Sequence, residues 1–367
     1  MTRLVPAVAV VLLLGWLATR LTPFTDYQVS TGAAYLCAVA GLTVLTGLGG
    51  QLSLGHGALM AIGAYAFAMT QDALAGQGAA AQWTLPVSLA AGVAAAAAAG
   101  AVIGLAAIRV RGAYLAGLTL ALALAVPAAT SLFAVFHGDQ GLQVNLPGVP
   151  ALLGPDFSYE AWQAWFALAC AFLVMLVLAA VARGRLGRTL RAARDHEAAA
   201  QLCGISVARA QTMAFVLTAG CAGLGGGVFA ILAQSVTPGS FSLNLSLNLV
   251  LAVVVGGLGS LAGAVWGSAL LVLLPYLTST LSGQLSHSGA LAEKLSGNLP
   301  LAVSGLLLIV IVMAAPGGIQ DLLQRAGRGP RARLRVLLGR APDPDPDPDP
   351  AQATPGTEQP AAVASDR

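Results

Sequence analysis

Nine apolar stretches decide what this chain can fold into. They run at about 4–19, 29–47, 57–71, 84–108, 113–136, 161–182, 212–234, 241–277 and 299–315, and no Asp, Glu, Lys or Arg falls in any of them. A hydrocarbon core of about 30 Å is crossed by roughly 20 apolar residues in a helix. Lipid offers the backbone no hydrogen-bond partners, so a spanning segment is a helix or part of a closed barrel. The alternation of a barrel strand is missing here. The expectation is an all-α, polytopic membrane helix bundle of about 9–10 membrane segments. Composition agrees: 57% of the chain is apolar and 9% charged, where soluble domains carry about 25% charged residues. A soluble enzyme is excluded. The stretch Leu4–Ala18, between Arg3 and Arg20, has the make-up of a signal peptide, but no small-x-small cleavage pattern follows it, and it reads as a first span.

The sparse charges set orientation. Segment 183–211 holds six Arg, whereas the loop 137–160 holds Asp139, Asp156 and Glu160 and no Lys or Arg. Cytoplasmic loops carry the excess of basic residues, which puts the first segment inside and the second outside. Counting back through single passes places Arg109 and Arg111 inside, Asp72 outside and the amino terminus inside. Arg325, Arg328, Arg331, Arg333, Arg335 and Arg340 put the tail inside as well. Segment 241–277 must then enter and leave on the outer side. As one helix it would be about 55 Å long, too long for one pass and barely enough for two. A short helix down, a turn at Gly256, Gly257 and Gly259, and a second helix back resolve the count.

A second break lies at GGQLSLGHG (Gly49 to Gly57), which holds none of Lys, Arg, Asp or Glu. Set against GGLGSLAGA (Gly256 to Ala264), it shares G-G-x-x-S-L. As a repeat, the pair would mark two related halves whose interrupted helices meet near the midplane, where transport pathways run. Gln51, Ser53 and His56, with Gly256, Gly257, Gly259 and Ser260, are therefore the pathway candidates. Polar groups at that depth are costly unless they meet protein, water or cargo; capping the broken helix ends is the competing role.

Segment 183–211 is long and charged for a connection between closely spaced spans. Thr189–Leu202 reads as a short helix with Gly204 as its C-terminal cap. Arg188, Arg191 and Arg194 recur at intervals of three, on one face, and Ala198 and Ala199 are small enough for a partner to approach the backbone. A solvated connector fits the same spacing.

Three segments resemble one family. GRTLRAARDHEAAAQLCGISVARAQTMAFVLTAGCAGLGGGVFA looks like the coupling-loop region of permease subunits of branched-chain amino acid ABC importers. GLTVLTGLGGQLSLGHGALMAIGAYAFA is similar to that family's G-Q-x-S-L-G-H segment, and SFSLNLSLNLVLAVVVGGLGSLAGAVWGSALL to its segment ending in G-G-x-G-S. The motifs stand in the family's order across about residues 40–317. The resemblance implies a bacterial inner-membrane permease that pairs with a second permease subunit, binds ABC ATPase subunits from the cytoplasm and receives cargo from an extracytoplasmic substrate-binding protein. It also implies that Gly187, Arg188, Arg191, Arg194, Asp195, Glu197, Ala198, Ala199 and Gly204 couple to the ATPase. The implied cargo is leucine, isoleucine and valine; related permeases carry urea or short amides. At 137–160 this chain's HGDQGLQV departs from the glycine pattern of family members, and a solvated loop is expected there.

The chain has no G-x-x-x-x-G-K-[ST] phosphate loop, and Lys294 is its only lysine. Energy must come from partner ATPases or, on a different reading, from an ion gradient; a gradient-driven carrier would need buried carboxylates, which the spans lack. The four cysteines and four histidines are dispersed, so no catalytic site, metal or cofactor is expected. Nucleic-acid binding would need a basic stripe with aromatics and is set aside. Arginines 325–340 suit an anionic lipid surface or simple anchoring. The expected organisation is a membrane permease domain over 1–317, a basic segment over 318–340, and a disordered tail over 341–367, where alternating Asp and Pro can neither propagate a helix nor bury apolar surface.

Overall fold

The computed structural model describes residues 23–77, 81–110, 112–144, 148, 158–285, 305, 313 and 318–321. The expected spans at 4–19 and 299–315 fall almost wholly outside the described residues, and the basic segment beyond Asp321 and the Asp/Pro tail entirely so. Ten α-helices follow among the described residues: α1 (Pro23–Gly49), α2 (His56–Gly76), α3 (Ala81–Ala107), α4 (Ala113–Leu132), α5 (Tyr159–Arg183), α6 (Arg185–Asp195), α7 (Glu197–Leu202), α8 (Val207–Ala233), α9 (Leu243–Gly256) and α10 (Leu261–Leu285). Seven are long and apolar enough to cross a membrane, and Leu261–Leu273 of α10 adds a shorter apolar stretch. With the two expected spans beyond the described residues, this agrees with a bundle of 9–10 segments.

Helix α8 is the centre of the bundle and packs on α1, α2 and α3. Between helices in lipid the hydrophobic effect supplies little, and close backbone approach supplies the contact energy. The sequence AGCAGLGGG in α8 provides it: Gly223 lies on Gly63 of α2, and Gly226 lies on the Met60 carbonyl. A Cβ at either glycine would overlap neighbouring backbone. Phe67, Phe215, Leu59 and Ile231 fill the space around these contacts and are fully buried.

Helices α9 and α10 form the expected down-and-back pair. Gly257 (φ 114°) and Gly259 (φ 80°) make the turn in backbone conformations that L side chains rarely adopt. The Ser260 hydroxyl accepts from the Gly263 amide at 3.2 Å and so caps the start of α10. Helix α10 returns along α1: Gly32 meets Val272, and the Phe24 and Tyr276 rings stand 5.8 Å apart. The first break is also present. Gly50 (φ 65°) closes α1, with its amide on the Thr46 carbonyl at 3.1 Å. Residues 51–55 are non-helical, and α2 begins at His56.

Two expectations need correction. The helix expected over Thr189–Leu202 is two helices, α6 and α7, separated by His196 in an extended conformation (φ −148°, ψ 92°). The charges explain the break. Arg194 suits the C-terminal end of a helix, while Glu197 suits an N-terminal end, so one continuous helix would place Asp195 and Glu197 against its dipole. The outer loop is also more than solvated. Leu142–Gln143 pairs antiparallel with Ser235–Val236, and the Val144 amide donates to the Gln234 carbonyl at 2.9 Å. This two-strand ribbon ties the loop to the outer end of α8, while Asp139 remains exposed.

Candidate functional site

The arginine-bearing end of the bundle gathers both breaks and the charged segment. Helix α6 folds back under the membrane helices, and its three arginines work as fasteners. Arg188 Nη1 donates to the Arg183 carbonyl at 3.2 Å and Arg191 Nη2 to the Ala182 carbonyl at 2.9 Å, both at the end of α5. Arg194 Nη1 reaches across to the Gly47 carbonyl of α1 at 2.5 Å. Each cation satisfies an acceptor at a helix C-terminus, where the dipole favours positive charge. Leu190 and Gly187 of α6 are buried on the bundle side.

Gly47 is also where the breaks meet. A Cβ there would overlap the backbone of Gly259, so the end of α1 and the α9–α10 turn lie in direct backbone contact. Arg194 packs its aliphatic stem on Gly50 as well. Gly256 packs on the Gly263 carbonyl, and Gly257 meets Gly318. Arg194, Gly47 and Gly259 therefore form a short mechanical chain from the charged segment to both interruptions.

Helix α7 is left facing outward. Ala198 and Ala199 are exposed, as are Asp195 and Gly204, and Leu202 is 90% exposed. Gly204 (φ 79°) takes the left-handed conformation expected of a cap, with the Ile205 amide returning to the Ala200 carbonyl at 3.0 Å. Glu197 accepts from Gln201 Nε2 at 3.1 Å. Ala198, Ala199 and Leu202, at helical spacing, make a small apolar face. The sequence reading had not singled out Leu202, although an apolar residue three and four positions after the exposed alanines was the available signal.

Deeper in, the first break holds its polar residues in protein. The Leu54 amide donates to Thr119 Oγ1 of α4 at 2.9 Å, and His56 Nδ1 lies 3.1 Å from Ser53 Oγ. Ser53 and His56 are buried. Ser246 of α9 stands against Gly57 in the first turn of α2, about 15 Å along α9 from the Gly257 turn. Helix α2 therefore starts well inside the bundle. Gln51 Oε1, His56 Nε2 and Ser246 Oγ are buried and have no hydrogen-bond partner. Capping thus accounts for Ser53 and Ser260 but leaves Gln51 and His56 with unused polar atoms. Ser246 and Thr119 are additions to the candidates; the run SLNLSLNL (Ser242 to Leu249), polar at alternate positions within an apolar segment, was the sign of the former.

The family model for the branched-chain amino acid transport system permease component matches residues 24–312. Over 264 residues the chain is 33% identical to the high-affinity branched-chain amino acid transport system permease protein LivM of Escherichia coli K12, covering 65% of this chain and 60% of that protein. The LivM of Salmonella typhimurium LT2 matches at the same 33% identity and the same coverage. The aligned region thus spans less than two thirds of the curated relatives. No solved structure matches. With its spans, both breaks and the segment between α5 and α8 lying inside the matched residues, this chain belongs to the family of branched-chain amino acid transport system permease components.

Proposed function

We propose that the chain is the membrane-spanning subunit of an ATP-driven importer in a bacterial inner membrane, translocating leucine, isoleucine and valine. Its partners on this reading are ABC ATPase subunits at α6 and α7, a second permease subunit beside it, surrounding membrane lipid and an extracytoplasmic binding protein at the ribbon end. The observation that carries the reading is the Arg194 contact with the Gly47 carbonyl. It joins a surface that a motor can grip to the point where both interrupted helices meet. Closure of the ATPases would pull α7 through its exposed Ala198, Ala199 and Leu202, and α6 would pass the motion to Gly47. The Gly47–Gly259 contact would then open or close, exposing the inner side to cargo by differential binding to two states. Gln51, Ser53, His56, Gly256, Gly257, Gly259 and Ser260 border the route on this reading. The position of Gly318 against Gly257 supports a tail on the same side as α6 and α7.

The test is co-purification with candidate ATPase subunits and ATP-dependent leucine uptake, for wild type and for Ala199→Asp with Leu202→Asp. Both side chains are exposed, so the variant should fold. Association and uptake should fall together; undiminished association would remove α7 as the grip. Competition of uptake by leucine against urea decides the cargo class.

A further inference from the structure

A cavity of about 350 Å³ opens at the inner end, between the first break, the ends of α3 and α4, and the charged segment. This is near the lower limit of the roughly 300–1,000 Å³ of small-molecule sites. Its wall combines opposite charges with apolar surface. Arg194 and Glu197 line one part and Gln51 another, while Leu52, Val110 and Leu115 supply aliphatic surface. Arg194 uses one N–H on the Gly47 carbonyl, and a guanidinium carries more donors than that. Gln51 Oε1 is buried without a donor, an acceptor whose burial is costly until something donates to it.

We infer that this cavity binds a free α-amino acid with an aliphatic side chain from the cytoplasmic side, and that its occupancy slows the transporter. The carboxylate pairs with Arg194, the ammonium group donates to Glu197 and Gln51 Oε1, and the side chain lies on Leu52, Val110 and Leu115. A carboxylate-only or amine-only ligand would leave one charge of the wall and the Gln51 acceptor unserved. The ligand bridges α6, α7 and the first break, the parts that must separate when the Gly47–Gly259 contact opens. Accumulated cargo therefore holds them together. The regulatory half rests on the coupling role proposed above for α6 and α7; the binding half does not.

The experiment uses the assembled transporter in nanodiscs without the extracytoplasmic binding protein. Equilibrium binding of labelled L-leucine is competed with unlabelled L-leucine, L-leucinol, 4-methylpentanoate and glycine. Leucine should bind, and leucinol, 4-methylpentanoate and glycine should each compete about tenfold more weakly or worse, since each lacks one of the matched groups. Ala116→Phe, which places a ring in the cavity wall, should abolish the binding. In proteoliposomes, leucine loaded inside should slow initial uptake by wild type and not by Ala116→Phe. Saturable binding with no preference for leucine over leucinol and 4-methylpentanoate would overturn the zwitterion site even if Ala116→Phe does not fold. ATP-driven uptake intact with no leucine binding overturns the inference and leaves the importer reading standing. Leucine binding without ATPase association overturns the importer reading and leaves the site.

Discussion

Adding one methyl group at Gly47 is the most informative perturbation of the inner end. In Gly47→Ala the new Cβ would overlap the Cα and amide nitrogen of Gly259. Both are backbone atoms, so no side chain can rotate away; the end of α1 and the α9–α10 turn must move apart. Overpacking of this kind costs about 1–3 kcal/mol, which lowers the population of the arrangement described here by roughly 5- to 150-fold relative to one in which the turn has separated. The separation can be read by labelling Ser260→Cys with a membrane-impermeant maleimide in inside-out vesicles, after replacing Cys37, Cys170, Cys203 and Cys221. Ser260 is half-buried, and Gly47→Ala should raise its labelling rate about fivefold or more. Gly117→Ala is the control: nothing lies within 4 Å of its added Cβ, and its labelling should match the parent. If Gly47→Ala labels and transports like Gly117→Ala, the backbone contact does not gate access and the mechanical chain is wrong.

Arg194→Ala should leave folding nearly unchanged, because the side chain is exposed and the loss is one charge-assisted bond worth about 1–3 kcal/mol before solvent screening; ATP hydrolysis should continue while uptake per ATP falls, measured in proteoliposomes. Ser246→Ala removes a buried hydroxyl with no partner, so thermal stability should hold or rise by up to about 1 kcal/mol while the uptake rate drops; an unchanged uptake rate would assign Ser246 to packing. Gly226→Val places a branched side chain on the Met60 carbonyl and should destabilise the bundle by about 3 kcal/mol or more, seen as lost monodispersity in detergent. Gly76→Val, where nothing lies within 4 Å, should behave like the parent.

The helices and the two breaks were legible because lipid makes them obligatory: an uncharged run must be helical, and a run of 37 residues that starts and ends on one side must turn. Both glycine clusters fell where expected. The split at His196 was harder to see, since neither Gly nor Pro marks it; only the opposed charges Arg194, Asp195 and Glu197 around it do. Spacing correctly put Arg188, Arg191 and Arg194 on a common side of α6, but could not say that this side faces carbonyls of the same bundle. Those acceptors, at Ala182, Arg183 and Gly47, are set by how α6 folds back, and Gly47 is 147 positions away. Ser246 was missed for a related reason: its significance depends on meeting Gly57, which only packing reveals.

The distance between α7 and the inner turn tests the account most directly. Spin labels on the native, exposed Cys203 and on Leu258→Cys, with Cys37, Cys170 and Cys221 replaced, report it in the assembled transporter. The account predicts one distance distribution without nucleotide and a shifted one with ATP bound, the shift reduced in Arg194→Ala. Identical distributions in both states, in a preparation that hydrolyses ATP and imports leucine, would contradict it.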